Sequence, residues 1–225
     1  MTYSESYFTA REAWRDWRIE AGQMMHLARV SQGTRVLEIG CGGGGLLRLF
    51  RERGAVVVGV DTLDVALELA HRRDDSRGRL SQVIRVGAEG ALPFQDDSFD
   101  AIVGQHVGEH LADIDAAACE WKRLLAPGGR LVLATPNARY PDPAHFADAS
   151  HTHVFSPPEL RDVAGRAGLA VEECYTLFPF LSGNRALRGL GVIGYRVFQH
   201  SPYFSSRGRT ILLGARKEPS LKTGN

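Results

Sequence analysis

The 225-residue sequence predicts an α/β protein with a doubly wound, mainly parallel sheet. Short apolar, β-branched runs alternate along the chain with segments whose apolar residues recur every three or four positions. This alternation is typical of parallel strands joined by helices on both faces of the sheet. Five glycines occupy the six positions 40–45, directly after the first apolar run, where sheets of this class bind ligands.

Seven segments have the apolar and β-branched composition of strands. They are 35–39, 55–60, 82–86, 99–104, 130–135, 169–177 and 209–216. Segments with helical periodicity lie between these strands and before the first strand. These helical segments run through 14–28, 46–54, 63–70, 114–125 and 157–168. Asp113 is the predicted N-cap of one helix, "APGG" at 126–129 ends that helix, and "SPPE" at 156–159 is a capping box.

Composition and charge exclude several classes of protein. The formal net charge of +1 provides no field for binding nucleic acid or an anionic membrane. Three scattered cysteines are too few for a disulfide framework, and no apolar run reaches the ~18 residues of a membrane span. The N-terminus has no secretory apolar region. We therefore expect a cytoplasmic protein with a single domain over residues 1–225.

The glycine run and two acids predict an adenosine-type cofactor. Asp61 lies 19 positions after Gly42, at the end of the second strand, where a carboxylate accepts hydrogen bonds from ribose hydroxyls. Glu38 stands just before the glycines. This acid would repel the pyrophosphate of a dinucleotide but favour a cationic sulfonium. Electrostatics therefore favour S-adenosylmethionine over a nicotinamide cofactor.

Linked motifs then resemble the class I S-adenosylmethionine-dependent methyltransferases of small molecules. "VLEIGCGGG" resembles their first motif, "VVVGVD" their second strand, and "VGAEGALPFQDDSFDAIVGQHVGEHL" the stretch through strands three and four. "KRLLAPGGRLVLATPN" is similar to the fifth-strand region and "HVFSPPELRDVAGRAGLAVEE" to the sixth. The resemblance covers residues 30–175 and includes enzymes of quinone, sugar and secondary-metabolite methylation.

The resemblance implies a Rossmann-like sheet of seven strands whose last strand is antiparallel, with S-adenosyl-L-methionine as cofactor. It also implies which residues contact the cofactor: Glu38, Gly40, Cys41 and Gly42 on the methionine side, Asp61 at the ribose, Thr62, Ala88 and Glu89 near the adenine, and Gln105 at the end of strand four. Relatives often carry an acid where Ala88 stands, so a contact to the adenine amino group must come from the backbone or be absent.

Methyl transfer to a hydroxyl requires alignment and a proton acceptor, and histidine suits that role near neutral pH. His106 directly follows Gln105 and is the first candidate base, with pocket lining as the alternative. His110 forms "GEH" with Glu109, either as a second catalytic candidate or as a structural pair.

The segment "HFADASHTHVF" is predicted to line the acceptor side. His145, His151 and His153 are the candidate acceptor-binding residues. With Asp148 and an acid such as Glu109 or Glu38, their spacing could also clamp a divalent ion. Because the spacing of residues on a loop does not fix the positions of their side chains, we expect this segment to form a polar lid that binds no metal.

Three segments flank the predicted core of the domain. Residues 1–30 are expected to form a helical lid whose tryptophans pack on the sheet, and 136–156 and 178–208 are expected to be acceptor-side insertions. The 178–208 segment mixes apolar and basic residues. An acceptor pocket, a dimer contact, a membrane-surface patch and an extra packed helix all suit that composition.

The predicted function is methyl transfer from S-adenosylmethionine to a small-molecule hydroxyl by in-line displacement, with nitrogen and carbon as less favoured acceptor atoms. A sugar, a quinol and a secondary metabolite fit equally as acceptors. The alternatives are a nicotinamide-dependent oxidoreductase and a non-catalytic S-adenosylmethionine-binding protein. No "NPPY"-like stretch follows strand four, which argues against DNA as acceptor. A homodimer is one option for the oligomeric state.

Overall fold

A computed structural model describes residues 4–13, 15–75, 82–140, 146–177, 201 and 206–219. Its strands are β1 (Arg35–Ile39), β2 (Val56–Asp61), β3 (Gln82–Arg85), β4 (Phe99–Gln105), β5 (Leu125–Pro136), β6 (Ala170–Leu177) and β7 (Thr210–Arg216). They form one sheet in the order β3-β2-β1-β4-β5-β7-β6. Only β7 runs antiparallel to its neighbours within this sheet. The predicted fold class is confirmed.

Helices pack against this sheet from both sides. They are α1 (Glu5–Glu12), α2 (Arg15–Leu27), α3 (Gly45–Glu52), α4 (Asp64–Asp75), α5 (Ile114–Leu124) and α6 (Pro157–Arg166), with a 3₁₀ turn at Gly108–His110. Instead of one opening helix there are two, because α1 ends with Ala13 as its C-cap before α2 begins. Trp14 lies outside the described residues. In the described part of the chain, no helix has the length and apolarity needed to cross a bilayer.

The predicted caps form as expected. The Asp113 carboxylate accepts a hydrogen bond from the Ala116 N–H at 2.9 Å, and Ser156 and Glu159 form the capping box of α6. Two boundaries differ from the prediction by five residues. Helix α4 continues to Asp75, beyond residue 70. β5 begins at Leu125, five residues early, because Leu125 already pairs with Phe99 and a register shift accommodates the following "APGG".

The core has one apolar layer on each face of the sheet, since successive strand residues point to opposite sides. Val36 and Leu37 in β1 belong to different layers. Trp17 and Met24 of α2 pack in the first layer, with α3 beside them. Trp121 of α5 belongs to the second layer, together with α6. The expectation that Trp17 packs against the sheet is therefore met.

The strand order reverses between β1 and β4, which are adjacent and parallel. Ile39, the last residue of β1, pairs with Gly104 near the end of β4. The glycine-rich loop and the residues after β4 therefore leave the sheet side by side. Sheets of this class bind their ligands at such a reversal.

Candidate active site

The loop after β1 leaves bare backbone at this edge. Gly40 and Gly42 have φ angles of +66° and +51°, which favour glycine. A Cβ at Gly40 would lie 3.2 Å from Cγ2 of Val107, and a Cβ at Gly42 would lie 3.0 Å from Cε1 of Phe8. Both positions thus need glycine for backbone conformation and for space. The loop leads into α3, whose first residue is Gly45.

Asp61 joins the end of β2 to the glycine-rich loop. Its Oδ2 accepts a hydrogen bond from the Gly42 N–H at 2.8 Å, and its Oδ1 accepts one from the Leu63 N–H at 3.0 Å. The residue lines the same cavity as the loop. Each carboxylate oxygen has a second lone pair, so the side chain retains acceptor capacity for ribose hydroxyls.

Glu38 is the least satisfied carboxylate at this edge. The side chain is buried, and no hydrogen-bond donor reaches its Oε2 in the described part of the chain. Burial, and then the charge of Asp61, raise the pKa of Glu38 well above its ordinary value. A buried acceptor without a donor favours a ligand that brings a cationic donor. The residues present therefore fit the amino-acid end of S-adenosylmethionine, which carries an ammonium group.

The other predicted cofactor residues lie along the same wall. Cys41 is buried, and its N–H donates to the Val60 carbonyl at 3.0 Å. Thr62, Ala88 and Glu89 are exposed on the cavity rim. The structure thus brings these predicted residues to one cavity.

Gln105 belongs to a buried chain of hydrogen bonds that reaches the N-terminal helices. Its Oε1 accepts from Nε1 of Trp17 at 3.1 Å, and its Nε2 donates to Oε1 of Glu20 at 2.7 Å. The same oxygen of Glu20 lies 3.1 Å from Nε2 of His106. Helix α2 therefore contributes a buried carboxylate to the wall of the site, directly beside the end of β4.

His106 lies between two buried carboxylates. Besides the contact with Glu20, its Nδ1 lies 3.3 Å from Oε1 of Glu109, whose other oxygen accepts from the Thr135 hydroxyl at 3.1 Å. Burial is the largest single influence and disfavours the imidazolium, but the charge of Glu20 and the hydrogen bonds with Glu109 and Glu20 together outweigh it, and the pKa of His106 rises to about 9. The side chain is also held by a backbone with φ of +55°, an uncommon value outside glycine. The resting residue is therefore a cation.

His110 and His151 meet on the other side of Glu109. Their ring centroids are 4.9 Å apart, and Nδ1 of His110 lies 3.1 Å from the Ser150 carbonyl oxygen. One donor atom from each ring and one Glu109 oxygen lie within 4.8 Å of each other. This is a donor set that could hold a metal ion. His151 and Glu109 are among the possible ligands of a divalent ion that the sequence suggests, but His110, which follows strand four, is not.

The remaining predicted acceptor residues do not join this group. His153 is exposed, its ring packs against Phe155 at 4.6 Å between centroids, and it is absent from the cavity wall among the described residues. His145 lies outside the described residues. Of the three histidines predicted for the acceptor side, the structure therefore brings His151 to the cavity and leaves His153 apart.

Sequence reasoning missed two polar residues of the N-terminal helices that line the cavity, Arg11 and Glu20. Glu20 lies three residues after Trp17, on the face of α2 that the apolar pattern already predicts to be buried. An acid on a buried helical face was the available signal.

One cavity of about 1350 Å³ connects the glycine-rich loop with His106 and His151. Pockets for a single small ligand usually measure roughly 300–1,000 Å³. The cavity therefore has room for a cofactor and a second molecule, and its wall includes both the predicted cofactor residues and His106 and His151.

Comparisons with known proteins agree with this geometry. Residues 8–174 match the family model of the methyltransferase domain. The chain is 34% identical over 116 residues to a ubiquinone biosynthesis O-methyltransferase of Mesorhizobium japonicum, covering 52% of this chain and 46% of that relative. It is 38% identical over 119 residues to a demethylmenaquinone methyltransferase of Thermus thermophilus, covering 52% of each. The chain spans about half the length of the curated relatives it matches.

The fold has solved counterparts as well. An S-adenosylmethionine-dependent methyltransferase from Mesorhizobium loti superposes with a TM-score of 0.68 at 20% identity, covering 91% of this chain and 99% of that one. The chain belongs to the methyltransferase-domain family. The predicted resemblance to class I S-adenosylmethionine-dependent methyltransferases is confirmed.

Proposed function

We propose that this protein transfers a methyl group from S-adenosylmethionine to a hydroxyl oxygen of a small molecule. The observation that carries the proposal is the single cavity that Glu38, Asp61 and the glycine-rich loop share with His106. When bound, the cofactor supplies an electrophilic methyl group on a sulfonium. The similarity to a ubiquinone biosynthesis O-methyltransferase supports an oxygen acceptor, and the similarity to that enzyme and to a demethylmenaquinone methyltransferase supports a quinone-related molecule.

Each predicted residue of the cavity wall has a separate role in this proposal. Asp61 would hold the ribose hydroxyls, and Glu38 would accept hydrogen bonds from the ammonium group. Gln105 would face the cofactor from the end of β4, and Thr62, Ala88 and Glu89 would surround the adenine. His151 would contact the acceptor from the lid segment. His153 and His145 would also contact the acceptor if the lid segment turned further towards the site.

Proton removal from the acceptor hydroxyl is assigned to His106. A nitrogen of the imidazole must be free of its proton to take the hydroxyl proton as the O–C bond forms and the S–C bond breaks. With a pKa of about 9, only a small fraction of His106 is in that form near neutral pH. The proposed base therefore works better as the pH rises towards 9. His110 is the second catalytic candidate.

The alternatives have less support. A nicotinamide dinucleotide would bring its pyrophosphate close to the buried Glu38, and two negative groups there would repel each other. A non-catalytic protein that binds S-adenosylmethionine needs no titratable group beside the cofactor in the cavity wall, where His106, Glu20 and Glu109 are found.

The wider predictions are part of the same proposal. The chain is proposed to be one domain in the cytoplasm, acting on a small molecule and not on nucleic acid. Residues 1–30 would form the lid, since α1 and α2 both line the cavity. Segments 136–156 and 178–208 would lie on the acceptor side, although 141–145 and 178–200 fall outside the described residues. A homodimer remains one option.

The test begins with calorimetric titration of the full chain with S-adenosylhomocysteine, NAD⁺ and NADP⁺. We expect micromolar binding of the first and no binding of the other two. A screen of hydroquinones, catechols and sugars with methyl-labelled S-adenosylmethionine then identifies the acceptor. Binding of a nicotinamide cofactor, or of none of the three, would overturn the proposal.

A further inference from the structure

Glu20 is the acid that α2 contributes to the cavity wall, and one of its oxygens serves two partners. Its side chain is only 7% exposed. Oε1 accepts a hydrogen bond from Nε2 of Gln105 at 2.7 Å and lies 3.1 Å from Nε2 of His106. Gln105 is the last residue of β4, and His106 follows it directly. One carboxylate oxygen therefore holds two consecutive side chains at the end of this strand.

The amide of Gln105 can adopt only one orientation in this chain of hydrogen bonds. The indole N–H of Trp17 is a donor and not an acceptor, so it must face Oε1 of Gln105, which lies 3.1 Å away. The amide nitrogen of Gln105 then faces Glu20 and needs an acceptor there. The chain of hydrogen bonds that begins at Trp17 thus ends on the same oxygen that faces His106.

The two ring nitrogens of His106 have different partners. Nδ1 lies 3.3 Å from Glu109, whose other oxygen accepts a hydrogen bond from the Thr135 hydroxyl. A partner that is itself held by a third group fixes the proton on the nitrogen it faces. Nε2 faces Glu20, and both residues line the cavity. Nε2 is therefore the nitrogen available to exchange a proton with a molecule in the cavity.

Loss of the proton from Nε2 changes its contact with Glu20 from attraction to repulsion. In the imidazolium, Nε2 donates to the carboxylate, whereas in the neutral ring a lone pair faces the same oxygen. Burial is the largest influence on the pKa of His106 and lowers it, and the charge of Glu20 comes next and raises it. Arg11 of α1 also lowers this pKa, and Glu109 raises it.

We propose that Glu20 is a positioning residue for methyl transfer, which holds Nε2 of His106 at the cavity wall and strengthens that nitrogen as a proton acceptor. This inference rests on the proposed function and deepens it, because Glu20 acts through the proposed base. It gives α2 a part in the chemistry, since the charge on this helix sets the pH range in which the acceptor hydroxyl loses its proton. Without the carboxylate, the neutral ring would form at lower pH and would be a weaker base.

The experiment follows the imidazole of His106 without any acceptor and measures the reaction separately. The full chain, labelled with ¹⁵N-histidine, is titrated by NMR as wild type, as Glu20→Gln and as the control Glu68→Gln. The His106 signals are identified by their loss in His106→Ala. Glutamine at position 20 removes the charge and keeps an oxygen that can accept from Gln105. Glu68 is exposed on α4 and is absent from the cavity wall among the described residues, so its variant makes the same charge change away from the site.

We expect the wild-type imidazole to titrate with a midpoint of about 9, and that of Glu20→Gln about 1–3 pH units lower, as for the loss of a neighbouring opposite charge. Glu68→Gln should titrate like the wild type. Once an acceptor is known, the rise of the Glu20→Gln rate with pH should move by the same interval, and its highest rate should fall below that of the wild type. A merely structural role would lower the rate equally at every pH and leave the profile in place.

An unchanged midpoint in Glu20→Gln would overturn the proposal, and so would a rate profile that keeps its wild-type position. Circular dichroism shows whether each variant is folded. If Glu20→Gln does not fold, Glu20→Asp takes its place, because it withdraws the charge by one methylene. A smaller downward shift is then expected, and a midpoint equal to that of the wild type would refute the proposal. Failure of the proposed function itself would be seen separately, as a wild-type chain that does not bind S-adenosylhomocysteine.

Discussion

Glu20 and His106 join the first part of the chain to the end of β4, with Oε1 of Glu20 3.1 Å from Nε2 of His106. The contact is possible because α2 buries one apolar face against the sheet and places Glu20 on the same face. It favours the cationic form of a half-buried histidine directly after β4, and it makes the ionisation of the site dependent on a helix far away in sequence.

Stability should therefore depend on pH in a defined direction. Because Glu20 and Glu109 raise the pKa of His106 to about 9 from an ordinary 6.5, the ion pairs stabilise the fold fully below pH 6.5. That contribution, about 3 kcal/mol, is lost as the pH rises from 6.5 through 9. The pKa values of Glu20 and Glu109 are lowered, so stability is also lost under acidic conditions.

Urea denaturation at pH 6, 7.5 and 9 measures this dependence as the free energy of unfolding. His106→Gln should be less stable at pH 6 and show a flatter profile between pH 6.5 and 9. A wild-type profile that rises over the same interval would contradict the assigned ion pairs.

Replacing His106 should slow turnover without weakening cofactor binding. We expect His106→Ala to lower the rate by about 10²–10⁴-fold, the range for loss of a general base. Once an acceptor is known, the wild-type rate should rise with pH towards 9, while the residual rate of the variant should not follow that profile. His26→Ala, on the exposed end of α2, is the control and should keep full activity. Full activity of His106→Ala would remove the residue from the mechanism.

Asp61→Ala should weaken binding of S-adenosylhomocysteine by ~1–3 kcal/mol, because the ribose hydroxyls lose a charged acceptor. The substitution also frees the N–H groups of Gly42 and Leu63, so Asp61→Asn, which keeps one acceptor oxygen, should be less affected. Asp64→Ala is a suitable control, since Asp64 pairs with Arg85 at the surface. Calorimetry that finds the affinity of Asp61→Ala unchanged would refute the ribose assignment.

Chelation should leave cofactor binding unaltered. Glu109, His110 and His151 could hold a metal ion, but Glu38 and Asp61, which are proposed to bind the cofactor, are not part of this donor set. We expect the protein as purified to carry no stoichiometric metal, and S-adenosylhomocysteine to bind equally with and without EDTA. Elemental analysis that finds one ion per chain, lost in Glu109→Gln, would show this expectation to be wrong.

The features that were predictable from the sequence are those in which neighbouring residues determine the geometry. The glycine-rich loop follows a buried strand, and Asp61 ends the next one, so their meeting follows from the sheet alone. The caps at Asp113 and Ser156 are equally local.

The features that could not be predicted from the sequence depend on packing between segments that are distant in the chain. No spacing rule places Glu20 beside His106, or Arg11 over the glycine-rich loop, because the rotation and position of α1 and α2 are set by contacts with the finished sheet. The group formed by His151 and Glu109 arises because the Thr152 N–H and hydroxyl both donate to the Glu109 carbonyl, which holds two loops together. His153, two residues away from His151, is directed elsewhere by Phe155.

The contacts of α2 also have a consequence for biosynthesis. Trp17 and Glu20 precede their shared partner Gln105 by 88 and 85 residues. A ribosome releases the amino end first, so these side chains emerge while β4 does not yet exist. During that interval the apolar face of α2 has no surface to cover. Helix α2 can therefore dock only after the nascent chain has been extended beyond its central strand. A chain arrested earlier would expose the apolar face of this helix to chaperones.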